Sequence, residues 1–167
     1  MAVTTDILQT WRRPATVIRR KLDAGATEAD ALATLMGAAF LLFVARWPAL
    51  AREAQQTAMA GLPADQAPGL QPLIGINLFA ILFVAPLIFY MVAALAYAAM
   101  HLFGSHITPL AARLSLFWAL MAISPAVLLH GLLAGLKGPG PALTLVGWLV
   151  LAAFLWLWVQ LAREAAR

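Results

Sequence analysis

Four long apolar stretches limit the folds open to this chain more than any other feature. They cover about residues 29–50, 72–103, 109–136 and 141–162, and polar or turn-forming residues bound each one. A bilayer core needs about 20 apolar residues of helix, so each stretch is long enough to cross it. Lipid offers no partner to free backbone N–H and C=O groups, so such spans are helices. The sequence therefore predicts an all-α, integral membrane bundle of about four transmembrane helices.

Composition agrees with a membrane location. The chain is 63% hydrophobic and 11% charged, whereas soluble domains are about 45–50% apolar and about 25% charged. No cysteine is present, which excludes thiolate nucleophiles and cysteine-held metals. The net charge of +4 does not indicate a nucleic-acid partner, because the basic residues flank the apolar stretches. We divide the chain into a cytoplasmic basic amphipathic segment, 1–26, and a transmembrane domain, 27–167.

Lysine and arginine predict the orientation. With four spans both termini share one side of the membrane, and that side carries eight of the 11 basic residues, against three on the other side: Arg46, Arg52 and Lys137. The positive-inside rule then places both termini in the cytoplasm of a bacterial inner membrane. Ala49-Leu50-Ala51 looks like a signal-peptidase site. We expect no cleavage, because the region before it is long and contains acids.

Local signals predict where the helices begin and bend. Thr27 and Asp30 have the spacing of a capping box, and Thr108-Pro109 is a typical helix start. The first helix has room to continue to about Ala60. The second stretch is longer than a bilayer needs, so we expect it to tilt, to kink at Pro86 or to project beyond the membrane. A split at Pro86 into two short helices is the alternative.

The N-terminal segment predicts a basic amphipathic helix. Within "TDILQTWRRPATVIRRKL", helical spacing places six apolar residues on one face: Ile7, Leu8, Trp11, Ala15, Ile18 and Leu22. Pro14 is expected to kink or restart the helix. Such a helix lies in the headgroup plane and attracts anionic lipid. Two interpretations stay open, a topology anchor and a sensor of lipid or partner. The predicted lipid-binding residues are Trp11, Arg12, Arg13, Arg19, Arg20 and Lys21.

The polar residues within the spans do not predict catalysis. All seven acids lie outside the spans or at their margins, so a proton-coupled transporter lacks its midplane carboxylate. Ser124 and His130 lie six residues apart on one helix, about 120° from each other around its axis, and cannot form a dyad. We expect no enzyme activity and no metal site.

His130 is the one candidate ligand. It lies about six residues from the outer end of the third span, within reach of interfacial water or a loop carbonyl. Ala126 precedes it by four residues, the spacing found in light-harvesting polypeptides, where a small residue makes room for a chlorophyll. We expect a packed or interfacial histidine, with a pigment or haem contact as the alternative.

Three further residues of the third span predict helix packing. Pro125 leaves the carbonyl of Met121 without its helical donor, and Ser124 is placed to supply one. Gly131 and Gly135 have G-x-x-x-G spacing, which permits close helix approach. We expect these glycines to seat the third span against the fourth rather than to form a dimer.

The chain resembles the Yip (Ypt-interacting protein) family, including its bacterial members. The likeness rests on the basic segment "WRRPATVIRRKL", the Gly104-Ser105 loop, and the Ser124-Pro125 step followed by aliphatic residues within "LFGSHITPLAARLSLFWALMAISPAVLL". It implies a helical membrane bundle with a cytoplasmic N-terminus, usually of five spans. Eukaryotic members engage small GTPases and organise membranes. No catalytic residue comes with the resemblance.

Together these features lead to two expected functions and to a third alternative, a small transporter or channel, against which the lack of a midplane charge argues. The first is a non-enzymatic protein that organises membrane, or assists the assembly of other membrane proteins, through lipid and protein contacts. The second is an accessory subunit of a larger respiratory or photosynthetic membrane complex.

Overall fold

A computed structural model describes residues 3–61 and 69–167. Within these ranges the chain forms six helices and no strand. In chain order they are α1 (Val3–Arg12), α2 (Pro14–Asp23), α3 (Glu28–Met59), α4 (Leu70–Leu102), α5 (Pro109–Lys137) and α6 (Pro141–Ala165). The last four are long and apolar enough to cross a membrane. The predicted all-α membrane bundle is confirmed.

The predicted helix starts form as expected. The Thr27 side chain accepts a hydrogen bond from the backbone N–H of Asp30, whose carboxylate accepts one from the N–H of Thr27, so the capping box is complete. Thr108 caps α5, accepting from the N–H of Ala111 at 3.2 Å. The first membrane helix continues to Met59, close to the predicted end.

The long second span does not split at Pro86. A π-helical turn, Ala80–Val84, lies just before this proline, and the N–H of Ala85 bonds to the carbonyl of Ala80, five residues back. Proline removes a backbone donor and crowds the preceding turn. Here the helix widens at that point and continues unbroken to Leu102. The described residues thus hold four helices that are long enough to span a membrane, where the Yip resemblance implies five spans.

Helix α5 forms the centre of the bundle. Every residue from 114 to 124 is buried. Helix α3 runs parallel to it, since Gly37 approaches Met121 and, further along, Pro48 approaches Gly135. Helix α6 returns antiparallel after a three-residue connection, placing Leu157 beside Ala122. These contacts fix α5 between α3 and α6.

Gly131 and Gly135 seat α5 against the first span and not the fourth. A Cβ added at Gly131 would lie 1.8 Å from the carbonyl oxygen of Ala45, and one at Gly135 would lie 2.4 Å from Cβ of Pro48. The predicted role in close packing is right, but the predicted partner is wrong. The short loop after α5 makes α6 a neighbour, while the glycine-lined face of α5 points at α3, where the backbones come closest.

Helices α4 and α6 lie at the edge of the bundle. Only 11% of the most apolar stretch of α4 and 6% of that of α6 is buried. Their outward side chains are large and apolar, as in Phe83, Leu87 and Trp148. Surfaces of this kind suit the hydrocarbon of a bilayer. The protein is therefore a multi-pass membrane protein with a narrow core and a wide lipid-facing surface.

Candidate functional site

Helices α1 and α2 form an antiparallel pair, here called the N-terminal hairpin, that packs on the bundle. Asp6, near the start of α1, contacts Arg20, near the end of α2, and Pro14 restarts the helix between them, as predicted. Three side chains of the hairpin are buried in one cluster with residues of α5 and α6: Ile7, Val17 and Ile18, with Leu114, Phe117, Trp118 and Leu161. The apolar side of the hairpin therefore faces protein.

A buried hydrogen-bond chain fixes α1 on α5. The indole N–H of Trp118 donates to Oγ1 of Thr10 at 2.9 Å, and that hydroxyl donates to the backbone carbonyl of Asp6 at 2.7 Å. Thr10 is 0% and Trp118 is 2% exposed. A buried donor without a partner costs about 1–3 kcal/mol. The indole of Trp118 therefore depends on the hairpin for its only hydrogen bond.

A second tryptophan reaches the bundle from the hairpin. Nε1 of Trp11 donates to the backbone carbonyl of Ala122 at 2.9 Å. Ala122 lies thirteen residues into α5, about 20 Å along the helix axis from Pro109. The neighbouring carbonyl of Met121 accepts from the Ser124 hydroxyl at 2.8 Å, as predicted. The successive carbonyls of Met121 and Ala122, in the turn before Pro125, thus both accept hydrogen bonds from side chains. Ser124 on the same helix donates one, and Trp11 of the hairpin donates the other.

Opposite charges hold the two hairpin helices to each other and to α6. The carboxylate of Asp6, 10% exposed, lies 2.5 Å from the guanidinium of Arg20 and 3.6 Å from the ammonium of Lys21. The same ammonium lies 3.8 Å over the ring of Trp118. Arg19 pairs with Glu164 near the end of α6. Each of these three basic residues of α2 therefore has an acidic partner within the chain.

Arg12 and Arg13 differ from these residues. Both are exposed at the turn between α1 and α2, and their side chains have no ion pair or hydrogen bond within the part of the chain that the structure describes. The six predicted lipid-binding residues therefore fall into two groups. Trp11, Arg19, Arg20 and Lys21 contact other parts of the chain, and Arg12 and Arg13 form a free basic tip.

His130 occupies a packed position between α5 and α6. Its Nε2 lies 3.3 Å from the backbone carbonyl of Leu143, and a Cβ added at Gly147 would lie 3.3 Å from the same nitrogen. A carbonyl only accepts, so Nε2 is the donor in this contact and the lone pair of the neutral ring lies on Nδ1. Ala126 packs against the cluster that contains Leu157, so α6 fills the surface that a macrocycle would need. The geometry favours the packed interpretation over the pigment contact.

Pro125 does not pack between helices. The residue is exposed on α5, and α5 continues through it to Lys137. Its structural effect is local, on the carbonyls of the preceding turn. Its predicted part in helix packing is therefore not seen in the contacts of α5.

Arg52 closes the far end of α5, a role that the sequence did not indicate. Its guanidinium donates to the carbonyls of Gly135 and Leu136, at 3.2 and 3.0 Å. Cations are favourable at a helix C-terminus, where carbonyls lack helical partners. Gly138 follows with φ of 77°, and a Cβ there would lie 2.7 Å from the guanidinium. This arginine fixes α3 to the C-terminal end of α5.

Ser124 and His130 do not contact each other in the structure. Ser124 bonds to Met121, and His130 to Leu143, so the two side chains serve different backbone carbonyls. Over residues 3–61 and 69–167, no three His, Asp or Glu side chains gather as a metal site would require. The best-defined functional feature is therefore the docked hairpin with its basic tip.

No family model matches the chain, and neither does any curated protein or solved structure.

Proposed function

We propose that this chain is a non-enzymatic protein of a bacterial inner membrane, with both termini cytoplasmic. It organises membrane, or assists assembly of other membrane proteins, through lipid and protein contacts. The observation that carries the proposal is the N-terminal hairpin, whose apolar side is buried in the bundle while Arg12 and Arg13 stay exposed at its tip. A docked hairpin with two free guanidinium groups is suited to hold anionic headgroups beside the spans, because arginine side chains extend towards the headgroup layer while their stems stay among apolar groups.

Two physical points support lipid phosphate as the contact of this tip. Each basic residue near an anionic membrane surface gains about 1 kcal/mol, and guanidinium groups bind phosphate through two parallel hydrogen bonds. Docking of the hairpin also removes the entropy cost that a free amphipathic segment would meet on binding. The Yip resemblance points the same way, because that family organises membranes without a catalytic site.

The test is anionic-lipid binding by the full chain. Purified protein in mild detergent is titrated with phosphatidylglycerol or with phosphatidylcholine of the same chains, and bound lipid is counted by native mass spectrometry. We expect Arg12→Gln/Arg13→Gln to weaken phosphatidylglycerol binding about 30-fold, since two residues at about 1 kcal/mol each contribute about 2 kcal/mol. The matched control is Arg163→Gln/Arg167→Gln, which removes the same charge from two exposed residues near the end of α6, of which Arg167 pairs with Glu164. Equal binding by both double variants would contradict the proposal.

A second candidate is an accessory subunit of a larger membrane complex. Its support is the outer surface of α6, where Trp148, Leu149 and Trp156 are exposed on a helix that is almost entirely peripheral. Gentle extraction from native membranes, size separation and an absorption spectrum distinguish the two. Migration with a large coloured complex favours the subunit, and a small colourless species favours the free-standing organiser.

A further inference from the structure

A cavity of about 240 Å³ opens between α3, α4 and α5, in the half of the bundle that holds Arg52. Small residues make room for it, among them Ala49, Ala85 and Ala134. The walls are apolar apart from two side chains, Arg46 of α3 and His130 of α5. No residue of the N-terminal hairpin lines this cavity, so it is separate from the basic tip described above.

Arg46 carries the positive charge at the wall of the cavity. Within residues 3–61 and 69–167 its guanidinium has neither an ion pair nor a hydrogen bond, and the side chain is exposed at the cavity wall. The nearby ring of His130 already uses Nε2 on the carbonyl of Leu143. A charge placed within a span faces a cavity or a partner, because hydrocarbon does not solvate it. Arg46 lies within a span, where a charge needs a counter-ion, and the described residues supply none.

The depth of Arg46 suits a lipid headgroup. Its neighbour Ala45 contacts Gly131, six residues or about 9 Å before the end of α5 at Lys137. Trp47, the next residue, is exposed, and tryptophan favours the membrane–water interface. The guanidinium can extend towards that interface while its stem stays among apolar groups.

The π-helical turn of α4 forms part of the same wall. Ile81 lies within that turn and Ala85 follows it directly, and both line the cavity. Single π turns inside α-helices occur frequently at functional sites, because the extra residue shifts the backbone outward. The widened turn, the small side chains and the unpaired arginine thus meet in one cleft.

We propose that this cleft binds one anionic phospholipid, with the phosphate on Arg46 and part of an acyl chain in the apolar cavity. Charge complementarity selects an anion, since Arg46 is the cation at the wall and no acid lines the cavity. Apolar walls select a hydrocarbon chain, which a free phosphate lacks. An integral lipid at this position ties the first three spans together.

The experiment measures lipid affinity by native mass spectrometry, with every variant carrying Arg12→Gln/Arg13→Gln so that the basic tip does not contribute. The probes are phosphatidylglycerol, phosphatidylcholine of the same chains, and inorganic phosphate. Arg46→Gln should weaken phosphatidylglycerol binding tenfold or more, and Arg46→Lys should weaken it less. Ala85→Leu fills the cleft and should abolish this binding, whereas Ala94→Leu, exposed on the same helix, should leave it unchanged.

Three results would overturn the proposal. They are equal phosphatidylglycerol affinity in the Arg46→Gln variant and its parent, undiminished binding in Ala85→Leu, and full competition by inorganic phosphate, which would show a free-anion site. Arg46→Gln alters an exposed group and should fold, so a failure of Ala85→Leu to fold leaves the charge test decisive. The tip is judged separately, by the two double variants in the otherwise unchanged chain.

Discussion

The indole N–H of Trp11 donates a hydrogen bond to the backbone carbonyl of Ala122, 111 residues further along the chain, at 2.9 Å. This contact joins the first helix of the protein to the middle of its central span. With the Trp118–Thr10 bond it makes the N-terminal hairpin a structural part of the bundle. The free charges of the hairpin are then displayed from a fixed position, which is what the proposed function needs.

Trp11→Phe should destabilise the protein by about 1 kcal/mol, because the variant keeps the ring and loses the hydrogen bond to a buried carbonyl. Thermal unfolding in detergent measures the change. Trp156→Phe is the matched control, since Trp156 is exposed on α6 and should unfold as the parent does. An equal unfolding temperature for Trp11→Phe and its parent would show that the contact adds nothing.

Asp6→Asn should cost about 2 kcal/mol of stability. The carboxylate lies close to two cations, and the variant removes this shared counter-charge of Arg20 and Lys21. The loss should shrink at high salt, where this attraction is screened. Asp23→Asn removes the same charge from an exposed residue of α2 and should have little effect. Similar unfolding curves for the two variants would refute the role given to Asp6.

Gly131→Ala should destabilise the bundle by about 1–3 kcal/mol or more, since the new methyl group would meet the carbonyl of Ala45. Gly75→Ala is the control, because nothing lies within 4 Å of a Cβ there. Alanine is also the better helix former, so this control should match or exceed its parent in stability. A tolerated Gly131→Ala would mean that α3 and α5 are further apart than described.

His130→Leu should leave the absorption spectrum of protein purified from native membranes unchanged. In the structure Nε2 of this residue forms a hydrogen bond with the carbonyl of Leu143. Loss of that bond should lower stability by about 1 kcal/mol. A visible band in the parent protein that disappears in the variant would instead establish His130 as a pigment or haem ligand.

Local sequence signals predicted the local structure well. The Thr27 and Thr108 caps, the restart at Pro14 and the Ser124 bond to Met121 all depend on residues within four positions of each other. Such contacts follow from helix geometry, so neither the fold nor the partners of a helix need be known to predict them.

Contacts between distant segments were harder to predict. Helical spacing placed Leu8 on the apolar face of the N-terminal segment, but Leu8 is 69% exposed. Val17, which that pattern did not include, is buried. Pro14 breaks the helix and resets its phase, so one continuous pattern does not apply. The pairing of Asp6 with Arg20 could have been predicted, because their opposite charges lie on either side of Pro14, where the helix restarts. The pairing of Gly131 with Ala45 depends on backbone approach, which spacing alone does not specify.

The most direct test of the docked hairpin is hydrogen–deuterium exchange of the full chain in a lipid nanodisc. We predict slow amide exchange over residues 7–12 and 17–22, approaching that of α5, and faster exchange there in the Thr10→Val variant, which removes the acceptor of Trp118. Exchange in the parent chain as fast as that of an unfolded peptide would contradict the account, because the hairpin would then lie free of the bundle.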